Sequence, residues 1–108
     1  MAPDSQNEDP RFDGLTDTDA DVSLDEPAMF KVILHNDHYT AMDFVVEVLM
    51  KVFQKPATEA TKIMLDIHHR GHGFCGVYTY DIAVTKTSLV HAMAKTRGFP
   101  LRCSYEKA

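Results

Sequence analysis

At 108 residues, 44% of them hydrophobic, the chain has the material for one buried core and is too short for two domains of ordinary size. No apolar run approaches the roughly 20 residues of a membrane helix, and the N-terminus has neither a secretory apolar stretch nor the Arg-rich bias of a transit peptide, so a cytoplasmic protein is expected. The net charge of -5 is divided unevenly: residues 1–26 hold nine acids against Arg11 alone, a balance of -8, while residues 27–108 hold seven acids and ten Lys or Arg, a balance of +3.

Residues 1–26 offer only Met1, Phe12, Leu15, Val22 and Leu24 as sizeable apolar groups, too few to offset the entropy of ordering. A disordered acidic arm is expected there, serving either as a solubilising tail or as a segment that reaches a partner. Pro27 closes it, and one domain is expected over 27–108. From Met29 to His35 the β-branched, alternating pattern predicts a strand with Phe30, Val32 and Leu34 on one face and Lys31, Ile33 and His35 on the other. A polar knot, Asn36 to Thr40, follows. Thr40-Ala41-Met42-Asp43 has the form of a capping box, with Thr40 as N-cap. The helix it opens runs from Ala41 to Phe53, with Phe44, Val45, Val48, Leu49 and Val52 at helical spacing.

Pro56 suits the first position of a second helix, which carries Ala60, Ile63, Met64 and Ile67 on one face and stops at Gly71. Gly73 to Thr79 reads as a short strand, with Thr79 as N-cap of a third helix, Tyr80 to Arg97, that buries Ile82, Leu89, Val90 and Met93. Gly98 ends it, and Leu101 to Glu106 alternates as a last strand. The order βααβαβ predicts an α+β domain, three strands covered by helices on one face.

Two polar clusters carry the chemistry: Asn36 to Thr40, and His68-His69-Arg70-Gly71-His72 at the end of the second helix. Neighbouring helices would bring them into one pocket. Cys75 and Cys103 sit in strand-like runs and are expected as reduced core thiols. Nothing like a nucleophile motif surrounds Cys75, and no glycine-rich phosphate loop or basic aromatic stripe supports nucleic-acid binding. A metal-dependent activity at His68, His69 and His72 is an alternative, weakened because adjacent side chains diverge by about 100° on a helix. No metal or cofactor is expected. Asn36, Asp37 and His68 have the acceptors for the three donors of an ammonium group, and Met42, Val45, Met64 and Ile67 the apolar surface for a hole beside it. A free N-terminus beginning with a bulky residue has that chemistry, although on spacing alone methionines and valines so placed are more often plain core.

The segments Phe30-Lys-Val-Ile-Leu-His-Asn-Asp-His-Tyr-Thr-Ala-Met-Asp-Phe44, Met64-Leu-Asp-Ile-His-His-Arg-Gly71, Cys75-Gly-Val-Tyr78 and Pro100-Leu-Arg-Cys-Ser-Tyr-Glu-Lys-Ala108 resemble, in order, the ClpS family over residues 27–108. These are bacterial adaptors, not enzymes, that hand N-degron substrates to the Clp ATPase and its protease. The resemblance implies a three-stranded antiparallel sheet against three helices. It implies that Asn36, Asp37, His38 and His68 surround the substrate's α-amino group. Leu34, Thr40, Met42, Val45, Met64, Ile67 and Leu101 would form a pocket for a first residue of Leu, Phe, Tyr or Trp, with Met42 as a gate against β-branched side chains. Asp81 and Lys86 would dock on the ATPase N-terminal domain, the arm would be engaged during delivery, and the free adaptor would be a monomer. The chain departs from the family at His38, usually Asp, at Ala41, usually Pro, and at Val84, often an acid. The alternative within this resemblance is an ATPase-binding modulator without a working pocket.

Overall fold

The computed structural model describes residues 26–108, so the acidic arm expected over residues 1–26 lies, Glu26 apart, outside the described residues. The elements follow the expected order: β1 Met29–His35, α1 Met42–Lys51, α2 Ala57–Arg70, β2 His72–Thr79, α3 Tyr80–Arg97 and β3 Arg102–Lys107. The sheet is antiparallel in the order β2-β1-β3, with β1 in the middle. Alternation along β1 buries Val32 and Leu34 completely on the helix side. The open side carries three cross-strand rows: Val77, Lys31 and Glu106; then Phe74, Ile33 and Ser104; then His72, His35 and Arg102. One bulge sets Cys75 and Gly76 opposite Val32, and Gly76 takes a φ of 154° there.

α1 buries Phe44, Val45, Val48 and Leu49, so its valines are stabilised by packing rather than by helix propensity. It ends at Lys51, two residues before the expected Phe53, and Gln54 turns the chain with a left-handed φ of 52°. Pro56 is the N-cap of α2 rather than its first helical residue, while Gly71 caps the C-terminus at φ 93° as expected.

The buried face of α3 differs from the expected one. Val90 is buried and Met93 half-buried, but Ile82 is 46% and Leu89 49% exposed, and Ala83, Thr87 and Ala94 pack on the sheet instead. Apolar residues occur on every side of this helix, so periodicity did not choose a face. The small side chains at 83, 87 and 94 let the helix axis approach the sheet closely. Cys75 and Cys103 are free and buried. Burial pushes the Cys75 thiol up to about 12 and that of Cys103 to about 11, so neither is a nucleophile at neutral pH.

α2 is seated on β2 through Gly73, where an added Cβ would lie 2.5 Å from Ile67 Cγ1. Gly73→Ala is expected to lower stability by about 1–3 kcal/mol through overpacking. Urea denaturation should show a lower midpoint at unchanged m.

Candidate functional site

The site is built where β1 ends. The Asn36 N–H donates to the Gly71 carbonyl at 2.9 Å, tying the loop after β1 to the cap of α2. In the next residue, Asp37 Oδ1 accepts from the Tyr39 and Thr40 amides at 2.8 and 2.7 Å, and Oδ2 accepts from the Thr40 hydroxyl at 2.7 Å. The expected capping box is therefore absent: Ala41 is the N-cap of α1 and no side chain caps it, because Asp37 has taken the Thr40 hydroxyl into an Asx-type turn. Ala41 has φ -66°, the value a proline would impose. Burial raises the Asp37 pKa, but the bonds from Thr40 and Tyr39, with His38 nearby, outweigh it and hold the carboxyl below its ordinary range.

A cavity of about 210 Å³ opens beside this loop. Its polar edge is Asn36, Asp37 and His38 from the loop and His68 from the last turn of α2. Its apolar wall comes from Met42 and Val45 on α1, Met64 and Ile67 on α2, and Leu101 just before β3, with Thr40 between the two regions. Val45, Ile67 and Leu101 are buried, Met64 is half-buried, and Met42, 44% exposed, stands at the mouth. An apolar chamber with polar acceptors along one edge fixes a ligand by its orientation. A cavity of roughly 150 Å³ already admits benzene, so this one has room for an aromatic ring.

Of the residues expected to line such a pocket, Leu34 does not. It is wholly buried between its strand neighbours Gly73 and Cys103, because the alternation that takes it off the open face points it into the core. His35, expected only on the open face, also lines the cavity. It shares a 2.6 Å hydrogen bond with Ser104, and burial, followed by the charges of Arg102 and His72, holds its pKa below the ordinary value. Its place as the last residue of the strand, where the sheet ends, was the available signal.

Asp81 and Lys86 lie on α3, away from this cavity. Asp81 is exposed in the first turn between exposed Tyr80 and Ile82. Lys86 is committed within the molecule: Nζ donates to the Val52 carbonyl at 2.6 Å and to Gln54 Oε1 at 3.2 Å, and lies 5.1 Å from the Tyr78 ring centre. His68 and His69 have ring centres 5.4 Å apart at 59°, and His72 begins β2. Among the described residues no three His, Cys, Asp or Glu converge to hold a metal ion, and no helix is long and apolar enough to cross a membrane.

Known proteins place this geometry in a family. The family model described as ATP-dependent Clp protease adaptor protein ClpS matches residues 25–104. An ATP-dependent Clp protease adapter protein ClpS from Syntrophus aciditrophicus is 56% identical over 96 residues, covering 89% of this chain and 90% of the relative. One from Helicobacter hepaticus is 53% identical over 91 residues, covering 84% and 92%. Among solved structures, Agrobacterium tumefaciens ClpS2 bound to L-phenylalaninamide is similar with a TM-score of 0.75 at 35% identity, covering 77% of this chain and 100% of that one. By its sequence and its fold alike, the chain belongs to the ClpS family of Clp protease adaptors.

Proposed function

We propose that this adaptor binds the free α-amino group and bulky hydrophobic first residue of N-degron substrates, Leu, Phe, Tyr or Trp, and delivers them to the Clp ATPase for proteolysis. The observation that carries this reading is the single cavity in which Asn36 and His68 edge a chamber walled by Met42, Val45, Met64, Ile67 and Leu101. An ammonium needs three acceptors, and a large side chain contributes about 1.5–3 kcal/mol when buried. The similar ClpS2 protein is bound to a ligand with both features, a free amine and a phenyl ring.

In this reading Asn36 and His68 accept from the amine directly, while Asp37, whose oxygens are engaged by its own loop, supplies negative charge beside it. Met42 at the mouth packs beside the incoming Cβ and disfavours β-branched residues. On α3, exposed Asp81 makes the polar docking contact with the ATPase N-terminal domain, and Lys86 shapes that face by holding the end of α1. The cytoplasm is the compartment in which such a partner is met.

Fluorescence anisotropy with peptides starting Phe, Leu, Tyr or Trp tests the central claim. N-terminal acetylation is expected to weaken binding at least about tenfold, the worth of one charge-assisted bond. Equal affinity for free and acetylated peptides would sink it, and ATPase binding with no peptide affinity would favour a modulator instead. His38→Asp restores an acid at the amine-facing rim and is expected to tighten free-amine peptides about tenfold without changing acetylated ones. For docking, Asp81→Ala is expected to weaken ATPase binding at unchanged thermal stability. Lys86→Ala is expected to cost about 1–2 kcal/mol of folding stability, read by denaturation, because the Val52 carbonyl and the rings of Tyr78 and Phe53 lose their cation.

A further inference from the structure

A second depression, of about 490 Å³, lies on the open face of the sheet. Ile33 and Phe74 form its apolar floor, and Phe74 is 53% exposed. Lys31, Arg70 and His72 stand around it, with Glu106 as the one acid in its lining. That acid is already paired, Lys31 Nζ to Glu106 Oε2 at 3.4 Å. Among the described residues Arg70 has no ion-pair partner. The groove is therefore apolar at its base and cationic at its rim.

It adjoins the first cavity. His35 lines both. A hydrogen bond also joins their linings: Asn36 belongs to the cavity, Gly71 belongs to the groove, and the Asn36 amide donates to the Gly71 carbonyl. A substrate held at Asn36 and His68 by its amine needs an exit for its second residue, and the groove beyond His35 and Gly71 borders that point. From His35 to Lys31 the strand advances about 13 Å, the length of roughly four extended residues.

We propose that this groove receives the residues that follow the substrate's first residue, and that it selects acidic side chains among them. The proposal rests on the reading of the first cavity as the amine site. Residues 27–108 carry a balance of +3, so a charge reversal on the same helix but outside the groove is the control that separates the groove from the domain's general field.

The test uses the full chain and C-terminally labelled heptapeptides that begin with Leu, with Glu-Asp-Glu or Lys-Arg-Lys at positions two to four, each free and N-acetylated. Acidic free peptides are expected to bind about tenfold tighter than basic ones at about 50 mM salt, from a few-fold per engaged charge, with the gap narrowing at about 500 mM. Arg70→Glu, an exposed substitution whose folding is checked by circular dichroism, is expected to abolish or invert the preference. Lys62→Glu, exposed on the same helix outside the groove, is expected to leave it intact. Equal binding of the acidic and basic free peptides overturns the proposal, as does a preference that survives Arg70→Glu or is lost equally in Lys62→Glu. If acetylated peptides bind as well as free ones, the amine reading itself falls. Loss of binding on acetylation without any charge preference removes the groove alone.

Discussion

The hydrogen bond from the Asn36 amide to the Gly71 carbonyl is the constraint on which the site depends. β1 and β2 pair antiparallel with His35 opposite His72, so the residues just after β1 and just before β2 must meet at the same end of the sheet. Gly71 makes the meeting possible. Its φ of 93° reverses α2 into β2 within one residue, a conformation in which any side chain is strained. With the reversal that tight, His68 in the last turn of α2 lines the same cavity as Asn36, and Ile67 is carried over Gly73 into the cavity wall. A polar edge and an apolar chamber thus arise from one pairing and one helix cap.

Asp37 shows how the loop keeps its shape without a core of its own. Three donors converge on its carboxylate, so the residue spends its hydrogen-bonding capacity on backbone geometry. Because those bonds favour the ionised form, their stabilisation is fully present above the ordinary value of 3.8 and is lost only as pH falls through the lower folded value. The negative charge is consequently fixed beside the cavity across the physiological range. A cation in the cavity gains from that field without displacing any of the bonds that hold the loop.

Much of this was legible in the sequence, for identifiable reasons. β1 announced itself through its β-branched run with Phe30, Val32 and Leu34 on one face, and Gly71 and Gly98 marked the helix ends because left-handed caps favour glycine. The pocket residues Met42, Val45, Met64 and Ile67 were legible once α1 and α2 were taken as neighbours. What failed were choices between local alternatives of nearly equal energy. Thr40 had two uses for its hydroxyl, an N-cap or an Asx turn, and the bond to Asp37 took it. α3 had apolar residues all round, and the sheet selected the face with the smallest side chains. Lys86, expected with Asp81 to dock on the ATPase, also has a contact that was not legible, since nothing local reveals that the Val52 carbonyl, 34 residues earlier, lies 2.6 Å from its Nζ.

That same lysine bears on how an adaptor of this build would work. α1, 10 residues long, begins with Met42 at the mouth of the cavity and ends just before Val52, which Lys86 grips from α3. The face around Asp81 and the cavity are thereby linked through one short helix with a buried inner face. Transmission between two sites requires an element with two arrangements of comparable energy. α1 is poorly suited to that role: Phe44, Val48 and Leu49 are all completely buried, and sliding it would open voids along its length. On the proposed reading, docking and substrate capture would then be independent events, with the substrate held in the same pocket before and after the adaptor met its ATPase.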